Sequence, residues 1–170
     1  MHKPNILLTG PANVGKTTVG IELAKHLGAV LVEADNIRNT FVARELRNAN
    51  TYQRKTVIDI ILASIEAYSA NGHRVILTEA VFTIDDFKSL TKQIKDMYPL
   101  LIIGLTCSYD EISGPRNKYI DNKHMCAHLR DSFDINSQAA QLELFDHIVD
   151  TSKDLHSTVR EIIHHLHAKA

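Results

Sequence analysis

The sequence predicts an open α/β fold in which a five-stranded parallel sheet is covered by helices on both faces. Short runs of continuously apolar residues, typical of parallel strands buried on both sides, recur along the chain. Longer segments of helical period separate them, and such alternation builds parallel sheets through crossover helices. We therefore expect a three-layer sandwich that forms a single domain over residues 1–170.

The strands come from the apolar runs, and we predict them at 5–9, 29–34, 74–80, 100–107 and 146–150. The first helix follows residue 15, because Val19, Leu23 and Leu27 repeat at helical spacing and Gly28 suits a C-terminal cap.

Two later segments also have helical period. In the segment "TYQRKTVIDIILASIEAYSANG" an apolar stripe precedes Asn71-Gly72, which stops the helix. Its members are Val57, Ile58, Ile61, Leu62 and Ile65. The last helix is predicted to begin near Thr151 or Ser152, with Leu155 and Val159 on its apolar face.

Composition excludes several classes of protein. The 170 residues are 44% hydrophobic and 23% charged, with a net charge of −1 and no long basic block, so no nucleic-acid or membrane partner is expected. No apolar stretch approaches the roughly 20 residues of a membrane span. The start "MHKPNILLTG" enters a strand at once, unlike a signal peptide. Cys107 and Cys126 are then expected to be free thiols in a cytoplasmic protein.

A phosphate-binding loop follows the first strand. Gly10, Gly15, Lys16 and Thr17 match the full G-x-x-x-x-G-K-[ST] pattern. The glycines let backbone N–H groups approach an anion, and the next helix adds its positive end. Lys16 would reach the β- and γ-phosphates and Thr17 would ligate Mg²⁺. The predicted nucleotide-binding residues are Gly10, Pro11, Ala12, Asn13, Val14, Gly15, Lys16, Thr17 and Thr18.

A second polar segment, "EADNIR" at 33–38, ends the second strand. Ligands of open α/β sheets bind beyond the carboxyl ends of the strands. Asp35 is the candidate for general base, and Arg38 for a contact to substrate or phosphate. Alternatively, Asp35 caps a helix that begins at Asn36. Glu33 is a weaker candidate, because the strand can direct it elsewhere.

The blocks "GPANVGKTT" and "LVEADNIR" resemble the small P-loop kinases related to adenylate kinase. That group includes chloramphenicol phosphotransferase, the zeta-toxin-like kinases and the adenylylsulfate kinases. The resemblance implies a P-loop NTPase sandwich with a helical lid, and it assigns the catalytic base to Asp35. The "VDTS" at 149–152 resembles the end of the last strand of chloramphenicol phosphotransferase, where the next loop lies beside the adenine.

Two further parts of the site are expected later in the chain. Glu79, at the end of the third strand, would hold a water on Mg²⁺, or would instead be a buried partner for Lys16. The polar segment 108–132 would be the lid of the resemblance, with Arg116 and Arg130 stabilising the transferring phosphoryl group. The alternative for the two arginines is a solvated helical face.

Two classes of function fit these residues. The first is an ATP- and Mg²⁺-dependent kinase that phosphorylates the hydroxyl of a small molecule; the second is a nucleotide-binding switch or sensor. The sequence favours the kinase, because an acid follows the second strand, the lid segment carries several cations, and no guanine-reading motif or switch threonine is recognised. The acceptor would lie over residues 39–55, near Phe41, Arg44, Arg47, Tyr52 and Arg54. We expect a monomer or homodimer.

Overall fold

The computed structural model describes residues 3–40, 51–114 and 123–168, with side chains from 54 and from 128 onward in the last two ranges. Its sheet is parallel, in the order β2-β3-β1-β4-β5. The strands are β1 Asn5–Thr9, β2 Val30–Glu33, β3 Val75–Thr78, β4 Leu100–Thr106 and β5 His147–Asp150. All five strand predictions are confirmed, four of them with ends one or two residues too long.

Seven helices are described. They are α1 Lys16–Leu27, α2 Ala34–Asn39, α3 Thr51–Ala70, α4 Ile84–Met97, α5 Tyr109–Ser113, α6 Lys123–Gln141 and α7 Leu155–Ala168. In the described ranges, none of them combines the length and apolar character that a membrane crossing requires.

The two faces of the sheet bury separate apolar cores, because side chains of a strand alternate in direction. Leu7 of β1 lies in the core under α3 and α4, beside Ile61 and Ile94. Its neighbours Ile6 and Leu8 lie in the core under α1 and α7. This is the predicted three-layer sandwich, and the apolar runs of the strands follow from burial on both faces.

The predicted C-terminal ends of two helices, α1 and α3, are confirmed. Gly28 has φ 59° and donates its N–H to the carbonyl of Ala24, which closes α1 with a left-handed cap. The helix α3 ends at Ala70, directly before Asn71-Gly72, and Gly72 has φ 82°.

The predicted start of the last helix is wrong by three or four residues. Asp150 accepts a hydrogen bond from the N–H of Ser152 at 2.9 Å, which bends the chain into a turn. Asp154 then accepts from the N–H of Ser157 at 3.0 Å and caps the helix that begins at Leu155.

The sheet order places a ligand crevice at the end of β1. The connection after β1 leads to β2 on one side, and the connection after β4 leads to β5 on the other. The gap outside the carboxyl ends of β1 and β4 is therefore the switch point at which open α/β sheets bind ligands. The predicted phosphate loop, residues 10–18, begins there.

Candidate nucleotide and acceptor site

The phosphate loop has the backbone of an anion cradle. Gly10, Asn13 and Gly15 all have positive φ, of 152°, 64° and 101°, so the chain curls between β1 and α1. A Cβ atom on Gly10 would lie 2.5 Å from the carbonyl oxygen of Leu105 in β4. Glycine at this position is therefore required both by the backbone angle and by the neighbouring strand.

Lys16 folds back over this loop. Its Nζ donates to the carbonyl oxygens of Gly10 and Pro11, both at 2.9 Å. Burial lowers the pKa of Lys16 from 10.5 to about 8, although the carboxylates of Asp35 and Glu79 favour the charged form. Lys16 is thus close to half protonated near pH 8 in the free protein.

Nucleotide binding is expected to take up protons through Lys16. The phosphates of ATP favour the ammonium form and raise its pKa, so binding near pH 8 should capture about half a proton per site, and almost none through this group at pH 6. Calorimetry at pH 8 in buffers of different ionisation enthalpy measures the number. Lys16→Ala is the control, and equal proton uptake in both proteins would contradict the assignment.

The same pKa has a consequence for stability. Between pH 8 and pH 10.5 the unfolded chain retains a proton on Lys16 that the folded chain has lost. The contribution of Lys16 to the free energy of unfolding therefore rises with pH through that window.

Thr17 and Glu33 are in contact at the start of α1. The hydroxyl of Thr17 donates to Oε1 of Glu33 at 2.6 Å, and Asn36 donates to Oε2 at 2.8 Å. A hydroxyl and a carboxylate are oxygen ligands of the kind that Mg²⁺ prefers, so these residues fit the ion. Glu33 was the weaker candidate from sequence, although its position at the end of β2 is a signal that it could reach the site.

Asp35 lies in the first turn of α2, which begins at Ala34. Its side chain is 81% exposed and forms an ion pair with Nη1 of Arg38 at 3.1 Å. The alternative that Asp35 caps this helix is wrong, because Glu33 occupies the cap position and no side chain there caps the helix. The carboxylate of Asp35 therefore remains accessible to a ligand.

Glu79 is buried directly after β3 and pairs with Arg38. Its Oε2 accepts from Nη2 of Arg38 at 2.5 Å, and its Oε1 accepts from the N–H of Ala80 at 2.7 Å. Burial raises the pKa of Glu79, while the Arg38 guanidinium opposes the rise. The direct ion-pair partner of Glu79 is thus Arg38 rather than Lys16. Arg38 joins Asp35 to Glu79.

A cavity of about 710 Å³ adjoins the phosphate loop on the α5 side. It is bounded by the start of α1, by α5 and by the segment between β5 and α7, and it can hold a nucleoside. Its lining includes Gly15, Thr18, Cys107, Ile112, Thr151 and Ser152.

Cys107 forms no disulfide, and burial raises the pKa of its thiol. The side chain of Cys126 lies outside the described part of the chain.

A smaller cleft lies beside Glu79 and includes Arg54, one of the predicted acceptor residues. The Arg38 guanidinium lies 4.7 Å from the centroid of the Phe82 ring, and Arg54 pairs with Asp86 at 3.3 Å. All four residues line this cleft of about 40 Å³. Of the predicted acceptor residues, Phe41, Arg44 and Arg47 and the side chain of Tyr52 lie outside the described part of the chain.

The predicted lid, residues 108–132, is described in part. Ser108 and Glu111 form a capping box at the start of α5. The Arg130 guanidinium lies 3.5 Å from the centroid of the Tyr109 ring, so it packs on α5. Arg116 falls outside the described residues.

One contact that no sequence pattern indicated joins α6 to the phosphate loop. The buried hydroxyl of Ser132 accepts a hydrogen bond from the N–H of Ala12 at 2.9 Å.

Comparison with solved structures finds the same fold in several kinases. A gluconokinase from Sinorhizobium meliloti 1021 is 18% identical with a TM-score of 0.69, over 99% of this chain and 94% of its own. Shikimate kinase from Acinetobacter baumannii, solved with shikimate, is 17% identical with a TM-score of 0.70, over 98% and 94%. The APS kinase CysC from Mycobacterium tuberculosis, solved with AMPPNP and APS, is 14% identical with a TM-score of 0.66, over 96% and 97%.

Sequence comparison gives the family. No curated protein matches this sequence. The family described as AAA domain matches residues 6–113, which include the phosphate loop, the segment 33–38 and Glu79. The chain therefore belongs to the AAA domain family, and its fold is that of the small P-loop kinases related to adenylate kinase.

Proposed function

We propose that the protein is an ATP- and Mg²⁺-dependent kinase that transfers the γ-phosphoryl group to a hydroxyl of a small molecule. The observation that carries this proposal is that the phosphate loop and the segment 33–38 lie together at one edge of the sheet. The phosphate loop holds Thr17 against Glu33, and the accessible carboxylate of Asp35 follows two residues later. Arg38, which pairs with that carboxylate, also lines the cleft beside Phe82 in which an acceptor is proposed to bind.

In the proposed reaction, Lys16 and the backbone N–H groups of the loop hold the phosphates of ATP. Asp35 accepts the proton of the acceptor hydroxyl, whose oxygen attacks the γ-phosphorus while ADP leaves. Arg38 orients Asp35 and contacts the acceptor. Arg116 and Arg130 are proposed to stabilise the transferring group, which requires Arg130 to leave the Tyr109 ring.

Magnesium is proposed to bind at Thr17, where it would neutralise phosphate charge. Glu33 is the carboxylate in contact with Thr17, and Glu79 would hold a metal-bound water if Arg38 releases it. We expect Glu33→Gln to raise the Mg²⁺ concentration for half-maximal ATP binding about tenfold or more. Glu22→Gln is the control, because Glu22 is a carboxylate of α1 that pairs with Lys25 and His26 instead of Thr17. Equal Mg²⁺ dependence of Glu33→Gln and the unchanged protein would assign the metal to other residues.

The lid is expected to close on the nucleotide. Amide exchange in residues 108–114 and 123–132 should slow when a non-hydrolysable ATP analogue and Mg²⁺ are added, because lids come from segments of low local stability. Hydrogen-exchange mass spectrometry measures this. Protection of the phosphate loop alone would speak against a lid.

The acceptor is best sought with a phosphoryl-transfer screen. ATP and Mg²⁺ are incubated with alcohols, sugars, nucleotides, antibiotics and hydroxy acids, since the relatives of similar fold include kinases of gluconate and shikimate. We expect one class to give phosphorylated product together with ADP. ATP binding without transfer to any class would favour the switch or sensor.

The cytoplasmic location and the monomeric or homodimeric state remain predictions of the sequence.

A further inference from the structure

A second cleft lies on the α6 side of the sheet, apart from the nucleotide cavity and the acceptor cleft. Its volume is about 240 Å³, and it is bounded by β4, β5, one face of α6 and Pro11 of the phosphate loop. Among the described residues, none that lines this cleft lines either of the other two cavities. It is therefore a separate site in contact with the loop.

The cleft exists because short side chains face each other across it. Gly104 of β4 contributes no side chain, and Ser137 and Ala140 of α6 contribute small ones. The ring of Phe145 packs against Gly104, but Ile148 of β5 remains 44% exposed. Protein interiors usually contain few voids larger than a water molecule. A cleft of about 240 Å³ is well above that size, and it is therefore available to a ligand.

The walls of the cleft define the chemistry of that ligand. Phe133, Phe145 and Ile148 are apolar, and in the described part of the chain no charged residue lines the cleft. Asn136, also in the wall, is 6% exposed. Its Nδ2 donates to the carbonyl of Ser132 at 2.7 Å, whereas its buried Oδ1 has no hydrogen-bond donor among the described residues. Buried oxygens of this kind are nearly always hydrogen-bonded.

We propose that this cleft binds an uncharged molecule of the size of one substituted ring, which donates a hydrogen bond to Asn136 Oδ1. An apolar cavity of about 150 Å³ is known to hold benzene, so about 240 Å³ accommodates a ring with a polar substituent but not a peptide helix. Because Oδ1 is buried, the Asn136 amide has to rotate for its oxygen to meet the ligand. The proposal does not depend on the kinase function.

The position of the cleft next to the phosphate loop allows ligand binding to be detected by NMR. The ligand would touch Pro11 and α6, and the hydrogen bond from Ala12 N–H to Ser132 joins the same two elements. Binding should therefore shift the backbone amide resonance of Ala12 together with the side-chain amide resonances of Asn136.

The test is an NMR titration of the full chain with phenol, which is a ring with one O–H donor. The titration extends to about 20 mM phenol, because so small a ligand binds with a Kd of about 1 mM. We expect saturable shifts of the amides of Ala12 and Asn136. Anisole has the ring without the donor, and we expect it to bind about five- to tenfold more weakly.

Two variants that fill the cleft complete the test. Ala140→Leu and Ser137→Leu, the latter at the exposed rim, should each abolish the phenol shifts, whereas Ala63→Leu on the exposed face of α3 should preserve them. Melting curves identify any variant that fails to fold. The proposal is overturned if the unchanged protein gives no saturable shift, if anisole binds as well as phenol, or if folded cleft-filling variants retain the binding.

Discussion

We expect Asp35→Asn to lower phosphoryl transfer by about 10²- to 10⁴-fold, which is the usual contribution of a general base. Asparagine keeps the size and polarity of the side chain but cannot accept the proton of the attacking hydroxyl. ATP affinity should change little, because the phosphate loop holds the nucleotide. Turnover is measured with the acceptor identified by the screen, and ATP affinity by calorimetry.

The fold should be unaffected by this change. Asp35 is 81% exposed, so solvent screens its ion pair with Arg38. The free energy of unfolding should therefore fall by at most about 1 kcal/mol. Asp85→Asn is the matched control, because Asp85 also occupies the first turn of a helix, α4, and lines none of the three cavities. Undiminished transfer in Asp35→Asn would reject Asp35 as the base.

Lys16→Ala should weaken ATP binding by about 10- to 150-fold. Hydrogen bonds to charged groups contribute roughly 1.5–3 kcal/mol, and each 1.4 kcal/mol is a factor of ten in affinity. Folding should survive, since burial already disfavours the charged form of Lys16. Calorimetry measures the affinity.

Lys25→Ala provides the comparison for Lys16→Ala. Lys25 lies on the same helix, with a side chain that is 68% exposed and paired to Glu22 at 3.4 Å, and its removal should leave ATP affinity unchanged. If both variants bind ATP as tightly as the unchanged protein, residues 10–18 are not the triphosphate site.

Some parts of the site were predictable because they depend on residues close together in sequence. The G-x-x-x-x-G-K-T spacing of residues 10–17 requires a particular backbone, and the structure has positive φ at Gly10 and Gly15 as that spacing demands. The start of α7 was predicted wrongly, although it is also local. Thr151 and Ser152 are good cap residues, but Asp150 and Asp154 each accept a backbone N–H nearby and move the helix to Leu155.

The sequence by itself determined the alternation of strands and helices, the phosphate loop and the placement of Asp35 at a strand end, because periodicity and backbone conformation are local properties. The tertiary structure decided which side chains meet. Thr17 contacts Glu33, Arg38 joins Asp35 to Glu79, and Ser132 of α6 holds Ala12 of the phosphate loop. The contacts of Thr17, Glu79 and Ser132 join separate elements, so they follow from the order of the strands and the packing of helices on them, which no local pattern encodes.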